Sequence, residues 1–267
     1  HAENWNWVIW GGDLHESKSK IGKIKYKIKK ITKNRFVNKL GFVTTLADKD
    51  FDVFKEKFTR FNGKHLKAIY GIPGLDIIEK FFPKTKSKNI KILVGNNANP
   101  SNQHIETFGI LLKYSTYQHQ VIIPLSYGTS DCEYIEKVIH HGKKSFKDNA
   151  VFLQQYMSPY EYYCTLNDVD VAIFNTERQQ ALGNIYVLLF FGAKVYLNNE
   201  SGLIEKFTRE GAKVFSVEEL KASSYEEFIF LSEDDKKKNQ NVAAKLIDKN
   251  QILLCWDEIM KTMKDQR

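Results

Sequence analysis

Cysteine is too scarce and too scattered to staple this chain. Cys132, Cys164 and Cys255 are odd in number, far apart and without metal-ligand spacing. That excludes a disulfide framework and favours reduced thiols in a cytosolic setting. Long apolar runs are also missing. The longest, IYVLLFFGAKVYL at 185–197, is broken by Gly192 and Lys194 and is too short to span a bilayer. The first residue is His and no signal-peptide pattern follows it. The chain is therefore expected to begin inside a longer gene product, with the front of its first lobe outside the sequence. Acidic residues are absent from 18–39, a segment with ten Lys or Arg. Such a segment needs either an anionic neighbour or plain solvent.

What is present suffices for a core. With 267 residues and 42% hydrophobic content, the chain can build one large or two medium α/β lobes. In the basic segment, Ile21, Ile24, Ile28 and Ile31 recur at helical spacing, flanked by Lys23, Lys25, Lys27, Lys29 and Lys30. The segment reads either as a solvated helix face or as a dock for an anionic membrane surface. Nucleic acid is not the expected partner, because neither a helix-turn-helix nor an RNA-binding signature occurs.

From residue 90 onward, strand and helix patterns alternate. The order is IKILVG, a helix near 100–114, QVIIPLS, a helix near 131–141, AVFL, a helix opened by SPYE, and VDVAIF. After the loop NTERQQALG come a helix ending at Gly192, the strand KVYL, the helix SGLIEKFTREG and the strand KVFS. Ser158, Pro159 and Glu161 have the spacing of an N-cap, a first-turn proline and a capping-box acid. This rhythm predicts a parallel, doubly wound sheet. The stretch FFPKTKSKN at 81–89 has linker composition, so a separate lobe is expected before it.

In open parallel sheets, ligands bind at the carboxyl ends of the strands. Two loops fall there. The first, GNNANPSN at 95–102, places Asn99 and Pro100 as a cap and first helical residue, leaving backbone N–H groups for a phosphate. Its asparagines serve equally well as turn formers. The second, FNTERQQALGN at 174–184, offers Arg178 for phosphate, Gln179 and Gln180 as sugar-binding amides, Glu177 for hydroxyls and Gly183 for close backbone approach. At the front, WNWVIWGGDLHE at 5–16 combines tryptophans, which suit sugar faces or core packing, with acids. Asp13 is a candidate general base, or else a helix cap, with His15 and Glu16 as alternatives. Asp168 and Asp170 lie at a helix-to-strand junction on the other edge of the sheet. They are not read as a metal pair, and neither metal nor cofactor is expected.

The segments ILVGNNANPSNQHIE, VIIPLSYG, YIEKV, PYEYYCTLNDVDVAIFNTERQQALGNI and KVYLNNE, together with WNWVIWGGDLHE, resemble the bacterial TDP-N-acetylfucosamine:lipid II N-acetylfucosaminyltransferase family, glycosyltransferase family 56. The motifs occur in the family's order. The resemblance implies a GT-B fold of two Rossmann-like lobes, with the N-terminal lobe incomplete in this chain. It implies a partial acceptor-side lobe at 1–85, a nucleotide-sugar lobe at 86–235 and a helical segment at 236–267 that crosses back. The implied activity is metal-independent transfer of a deoxyamino sugar from a dTDP-sugar to an undecaprenyl-pyrophosphate-linked glycan, at the cytoplasmic face of the inner membrane. On the donor side it implies Gly95, Asn96, Asn97, Ser101, Asn102, His104, Tyr127, Gly128, Arg178, Gln179, Gln180, Gly183 and Asn184. Ala98 and Asn99 stand where the family often has a Gly-Asp pair, and His15 replaces an aromatic. The competing readings are a transferase using another nucleotide sugar and a non-catalytic nucleotide-sugar or carbohydrate binder.

Overall fold

The computed structural model describes residues 2–14, 23–72, 78, 89–129 and 131–265, with backbone alone at 23–27 and 29. Two compact units are present. One contains residues 1–70 and 249–267, the other residues 71–248.

In the first unit, β1 (Asn6–Ile9), β2 (Phe42–Thr45) and β3 (Lys64–Lys67) form a parallel sheet in that order. Helix α1 (Lys23–Val37) follows β1 and α2 (Asp48–Lys57) follows β2. Ile9, Leu14, Val37, Val43, Phe54, Phe58 and Phe61 make the core, with Trp7 packed against it. The acidic start and basic end of α2 match its helix dipole.

The second unit runs β4 (Ile90–Val94), α3 (His104–Leu111), β5 (His119–Pro124), α4 (Cys132–Phe146), β6 (Ala150–Leu153), α5 (Pro159–Asn167), β7 (Val171–Phe174), α6 (Leu182–Phe190), β8 (Lys194–Leu197), α7 (Leu203–Arg209) and β9 (Phe215–Ser216). Three further helices follow: α8 (Val217–Ala222), α9 (Tyr225–Ile229) and α10 (Glu233–Leu246). The last helix, α11 (Lys249–Lys264), belongs to the first unit, where Ile252 and Ile259 are buried and Trp256 Nε1 donates to the Ile69 carbonyl at 3.2 Å.

The six strands are all parallel, in the order β6-β5-β4-β7-β8-β9. Every residue of β7 and β8 is buried, as expected for strands covered on both faces. Helix α6 buries Ile185 through Leu189 without interruption, the pattern of a helix enclosed on all sides. Ser158 and Glu161 form the capping box expected at α5.

Boundaries differ from the sequence pattern: the helix read near 100–114 is α-helical only over His104–Leu111, with 3-10 turns on either side. Helix α4 continues past Gly142 to Phe146, because Gly142 is a packing glycine rather than a stop. A Cβ there would lie 2.7 Å from the Phe152 ring. The strand KVFS shrinks to two residues, because Asn239 of α10 takes both backbone groups of Lys213 in place of a sheet neighbour.

Candidate functional site

The strand order reverses between β4 and β7, so the loops after these two strands splay apart and leave a crevice at the carboxyl edge of the sheet. Both suspected donor loops stand there, Gly95–Gln103 after β4 and Asn175–Ala181 after β7. Their backbones share one feature with the loop after β8. The residue before the helix is left-handed in each: Gln103 (φ 48°), Ala181 (φ 63°) and Gly202 (φ 70°). In none of these three does that residue cap the helix with its side chain. By contrast, α4, α5, α8, α9 and α10 are all capped, by Asp131, Ser158, Ser216, Ser224 and Ser232. Strands β4 and β7 thus lead into helices whose first N–H groups have no side-chain acceptor, whereas at α7 Leu203 N donates to Ser201 Oγ at 3.2 Å and the other helices of this unit are capped.

The asparagines of the first loop divide by role. Asn102 is fully buried. Its amide donates to Asn97 O, Asn97 Oδ1 and Asn99 O, and its oxygen accepts from Asn96 N. Asn97 accepts from Asn99 N. Asn99 caps the short 3-10 turn Pro100–Asn102 rather than α3, which begins only at His104. These three residues therefore hold the loop in shape. Asn96 instead reaches across the crevice, its oxygen accepting from Gln180 Nε2 at 2.7 Å. Gly95 (φ 71°) leaves room for the His104 imidazole, whose Nε2 would lie 2.7 Å from a Cβ placed there.

His104 is fully buried. Its Nδ1 lies 2.8 Å from the Tyr134 hydroxyl, and Nε2 has no partner. Burial lowers its pKa to about 4, so the ring is neutral at neutral pH. Burial also pushes Tyr134 up to about 12.

In the second loop, Thr176 Oγ1 donates to Arg178 O at 2.9 Å and folds the loop tightly. Arg178 Nη2 donates to Ser101 Oγ at 3.3 Å, and Ser101 donates to Gln180 Oε1 at 2.9 Å. Glu177 accepts from Gln103 at 3.3 Å. Gln179 is buried, whereas Glu177 is exposed. Gly183 and Asn184 lie in the first turn of α6, and Asn184 Nδ2 donates to the Tyr162 hydroxyl at 2.9 Å. The positive φ at this loop falls on Ala181, not Gly183. Tyr127 and Gly128 follow β5. Tyr127 is exposed and accepts from Asn96 Nδ2 at 3.2 Å, and Gly128 has φ 111°.

The structure thus brings Asn96, Ser101, Tyr127, Arg178 and Gln180 into one network, while Glu177 is held separately by Gln103. Thr176 joins it through the Arg178 carbonyl, and Gln103, Tyr134 and Tyr162 hold Glu177, His104 and Asn184, although the sequence did not single these four out. Gln103 and Ala181 are left-handed without being glycine, and nothing in either residue type announces it.

In the other unit, Asp13 is exposed and Oδ2 accepts from Trp10 N at 3.0 Å, closing a turn after β1. His15 and Glu16 lie outside the described residues. Trp7 packs on Phe54 and Phe58, with Lys33 Nζ 4.9 Å from its ring centroid, whereas Trp5 and Trp10 are exposed. Asp168 pairs with Lys91 at 2.5 Å, and Asp170 accepts from Lys91 N at 2.8 Å. That is a structural use of both acids. Among the described residues, no three His, Cys, Asp or Glu side chains gather at metal-binding range, and no helix is long and apolar enough to cross a membrane.

Solved structures share this fold. One of Candida albicans trehalose-6-phosphate phosphatase N-terminal domain is 11% identical, with TM-score 0.68, covering 87% of this chain and 59% of that one. A Burkholderia xenovorans UDP-forming α,α-trehalose-phosphate synthase, solved with glucose-6-phosphate, is 9% identical, with TM-score 0.68 and coverage of 87% and 63%. An E. coli structure bound with UDP-2-fluoro glucose is 11% identical, with TM-score 0.69 and coverage of 88% and 63%. The fold is therefore α/β of the GT-B type, and the chain spans about three fifths of the length of these structures. The family profile described as 4-alpha-L-fucosyltransferase, glycosyl transferase group 56, matches residues 1–250.

Proposed function

The chain belongs to glycosyl transferase group 56, and on that premise we propose that it transfers a deoxyamino sugar of the N-acetylfucosamine type from a dTDP-sugar to a polyprenyl-pyrophosphate-linked glycan. The observation that carries the donor side is the pair of uncapped helices after β4 and β7, with Arg178 between the two loops. N–H groups at helix starts and a guanidinium fork together suit a diphosphate. In the transfer step the bond between the anomeric carbon and the diphosphate breaks, and the departing oxygen gains negative charge. Donors fixed in advance at that oxygen stabilise it without moving. The acceptor hydroxyl attacks the anomeric carbon and gives its proton to a base. Asp13, with one oxygen holding its turn, is our candidate for that role.

The acceptor's lipid anchor requires work at a membrane surface. Helix α1 supports this reading, since Ile28 and Ile31 are exposed on the side opposite the buried Val37, amid a basic sequence. We place the protein peripherally on the cytoplasmic face of the inner membrane. Calorimetry with dTDP and UDP, with and without magnesium, tests the donor reading. dTDP should bind in the absence of metal, and Arg178→Ala should weaken it about tenfold to a hundredfold. If neither nucleotide binds, or if Arg178→Ala matches the parent, the donor assignment fails.

A further inference from the structure

Four hydrogen bonds run in one direction across the site. Arg178 Nη2 donates to Ser101 Oγ at 3.3 Å, Ser101 to Gln180 Oε1 at 2.9 Å, Gln180 Nε2 to Asn96 Oδ1 at 2.7 Å, and Asn96 Nδ2 to the Tyr127 hydroxyl at 3.2 Å. The direction has a cause. A guanidinium only donates, so it occupies a lone pair of Ser101 and sends that hydroxyl's proton on to Gln180. Gln180 must then present its oxygen to Ser101 and its nitrogen to Asn96, which fixes the Asn96 amide in turn. The reverse orientation of both amides would leave the Ser101 proton facing another donor.

The chain therefore begins at a cation and ends on a lone pair of Tyr127, whose own phenolic hydrogen has no acceptor among the described residues. Aligned hydrogen bonds polarise one another, and a positive charge at the head strengthens each donor behind it. Asn96 is buried and Gln180 half-buried, which limits screening by water, while Tyr127 stands exposed at 56%. Its hydroxyl is tethered, so the ring is held in one orientation at the edge of the crevice.

We propose that Tyr127 donates its phenolic hydrogen to a phosphate oxygen of the bound nucleoside diphosphate. Ser101, Gln180 and Asn96 act as positioning residues that hold Tyr127 and Arg178 as the two ends of one device. This rests on the nucleotide-sugar reading above and adds an atom-level contact and a coupling to it. A donor polarised by a cation discriminates in favour of an anionic acceptor. The diphosphate, rather than the base or the sugar, is therefore the part of the ligand that Tyr127 reads.

The test uses Tyr127→Phe, which keeps the ring and removes only the hydroxyl, and Gln180→Met, which interrupts the chain at its midpoint. Calorimetry is run with dTDP and with thymidine. Tyr127→Phe should weaken dTDP binding about tenfold and leave thymidine binding unchanged. Gln180→Met should weaken dTDP to a similar or greater degree, and the double variant should be no weaker than the worse single one, because both act through one path. A merely structural hydroxyl would lower the melting temperature without separating the two ligands. If the parent binds dTDP and Arg178→Ala weakens it, yet Tyr127→Phe binds dTDP like the parent, the proposal is overturned while the donor site stands. Equal losses for dTDP and thymidine, or fully additive losses in the double variant, also overturn it. If the parent does not bind dTDP at all, both readings fall together.

Discussion

His104 opens α3 with its ring fully buried, and burial alone holds its pKa near 4 against an ordinary 6.5. The sign of the consequence is fixed. Between those values the unfolded chain takes a proton that the folded chain refuses, so stability is complete above pH 6.5 and is lost as the pH falls toward 4. At about 1.4 kcal/mol per pKa unit, the loss is roughly 3 kcal/mol. His65 and His119 are lowered in the same direction by burial, so the informative quantity is a difference between variants. Urea unfolding at pH 7 and pH 4 should show the parent losing roughly 3 kcal/mol more than His104→Gln. Parallel losses would mean that the ring accepts a proton in the folded state.

At this scale the sequence was partly legible. Asn99 before Pro100 announced a cap, and it caps the 3-10 turn one step ahead of the helix. Arg178 and Gln180 announced polar chemistry, and they do bridge the two loops. Asn97 and Asn102 read as equals of Asn96, yet they face into their own loop. Which way an amide points is decided by neighbours far off in sequence, such as Gln180 against Asn96, 84 residues apart, and composition does not encode that.

Among the elements, α1 invites the sharpest prediction. Val37 anchors it to the core while Ile28, Ile31 and Phe36 are exposed, so apolar surface and basic residues occur together on one helix. Lysines near an anionic surface contribute about 1 kcal/mol each, weakened by salt. The protein should therefore sediment with phosphatidylglycerol vesicles, be released by high salt and ignore neutral vesicles. Changing Lys23, Lys25, Lys27, Lys29 and Lys30 to Gln should abolish sedimentation. Equal binding to neutral vesicles, or undiminished binding by the variant, would make α1 an ordinary solvated helix. Between residues 90 and 216 element identities were plain from periodicity, because parallel strands buried on both faces and caps such as Ser158 with Glu161 leave strong local marks, whereas β2, α2 and β3 of the first unit were not read from the sequence. Two of the shifted boundaries arose where a distant side chain decided the outcome. Phe152 needs Gly142 inside α4, and Asn239 takes Lys213 from the sheet.

For the whole molecule, alternation alone implied a parallel sheet, and the order β6-β5-β4-β7-β8-β9 turns it into a site by setting the β4 and β7 loops on either side of the reversal. The order itself is a long-range property. No single stretch of sequence announces it. The central claim is that this reversal holds the donor's diphosphate between uncapped helix starts and Arg178. The most direct measurement is a crystal structure with dTDP bound. The account predicts phosphate oxygens within hydrogen-bonding distance of the first-turn N–H groups of α3 or α6 and of the Arg178 guanidinium. A nucleotide bound with its phosphates away from both loops would contradict it.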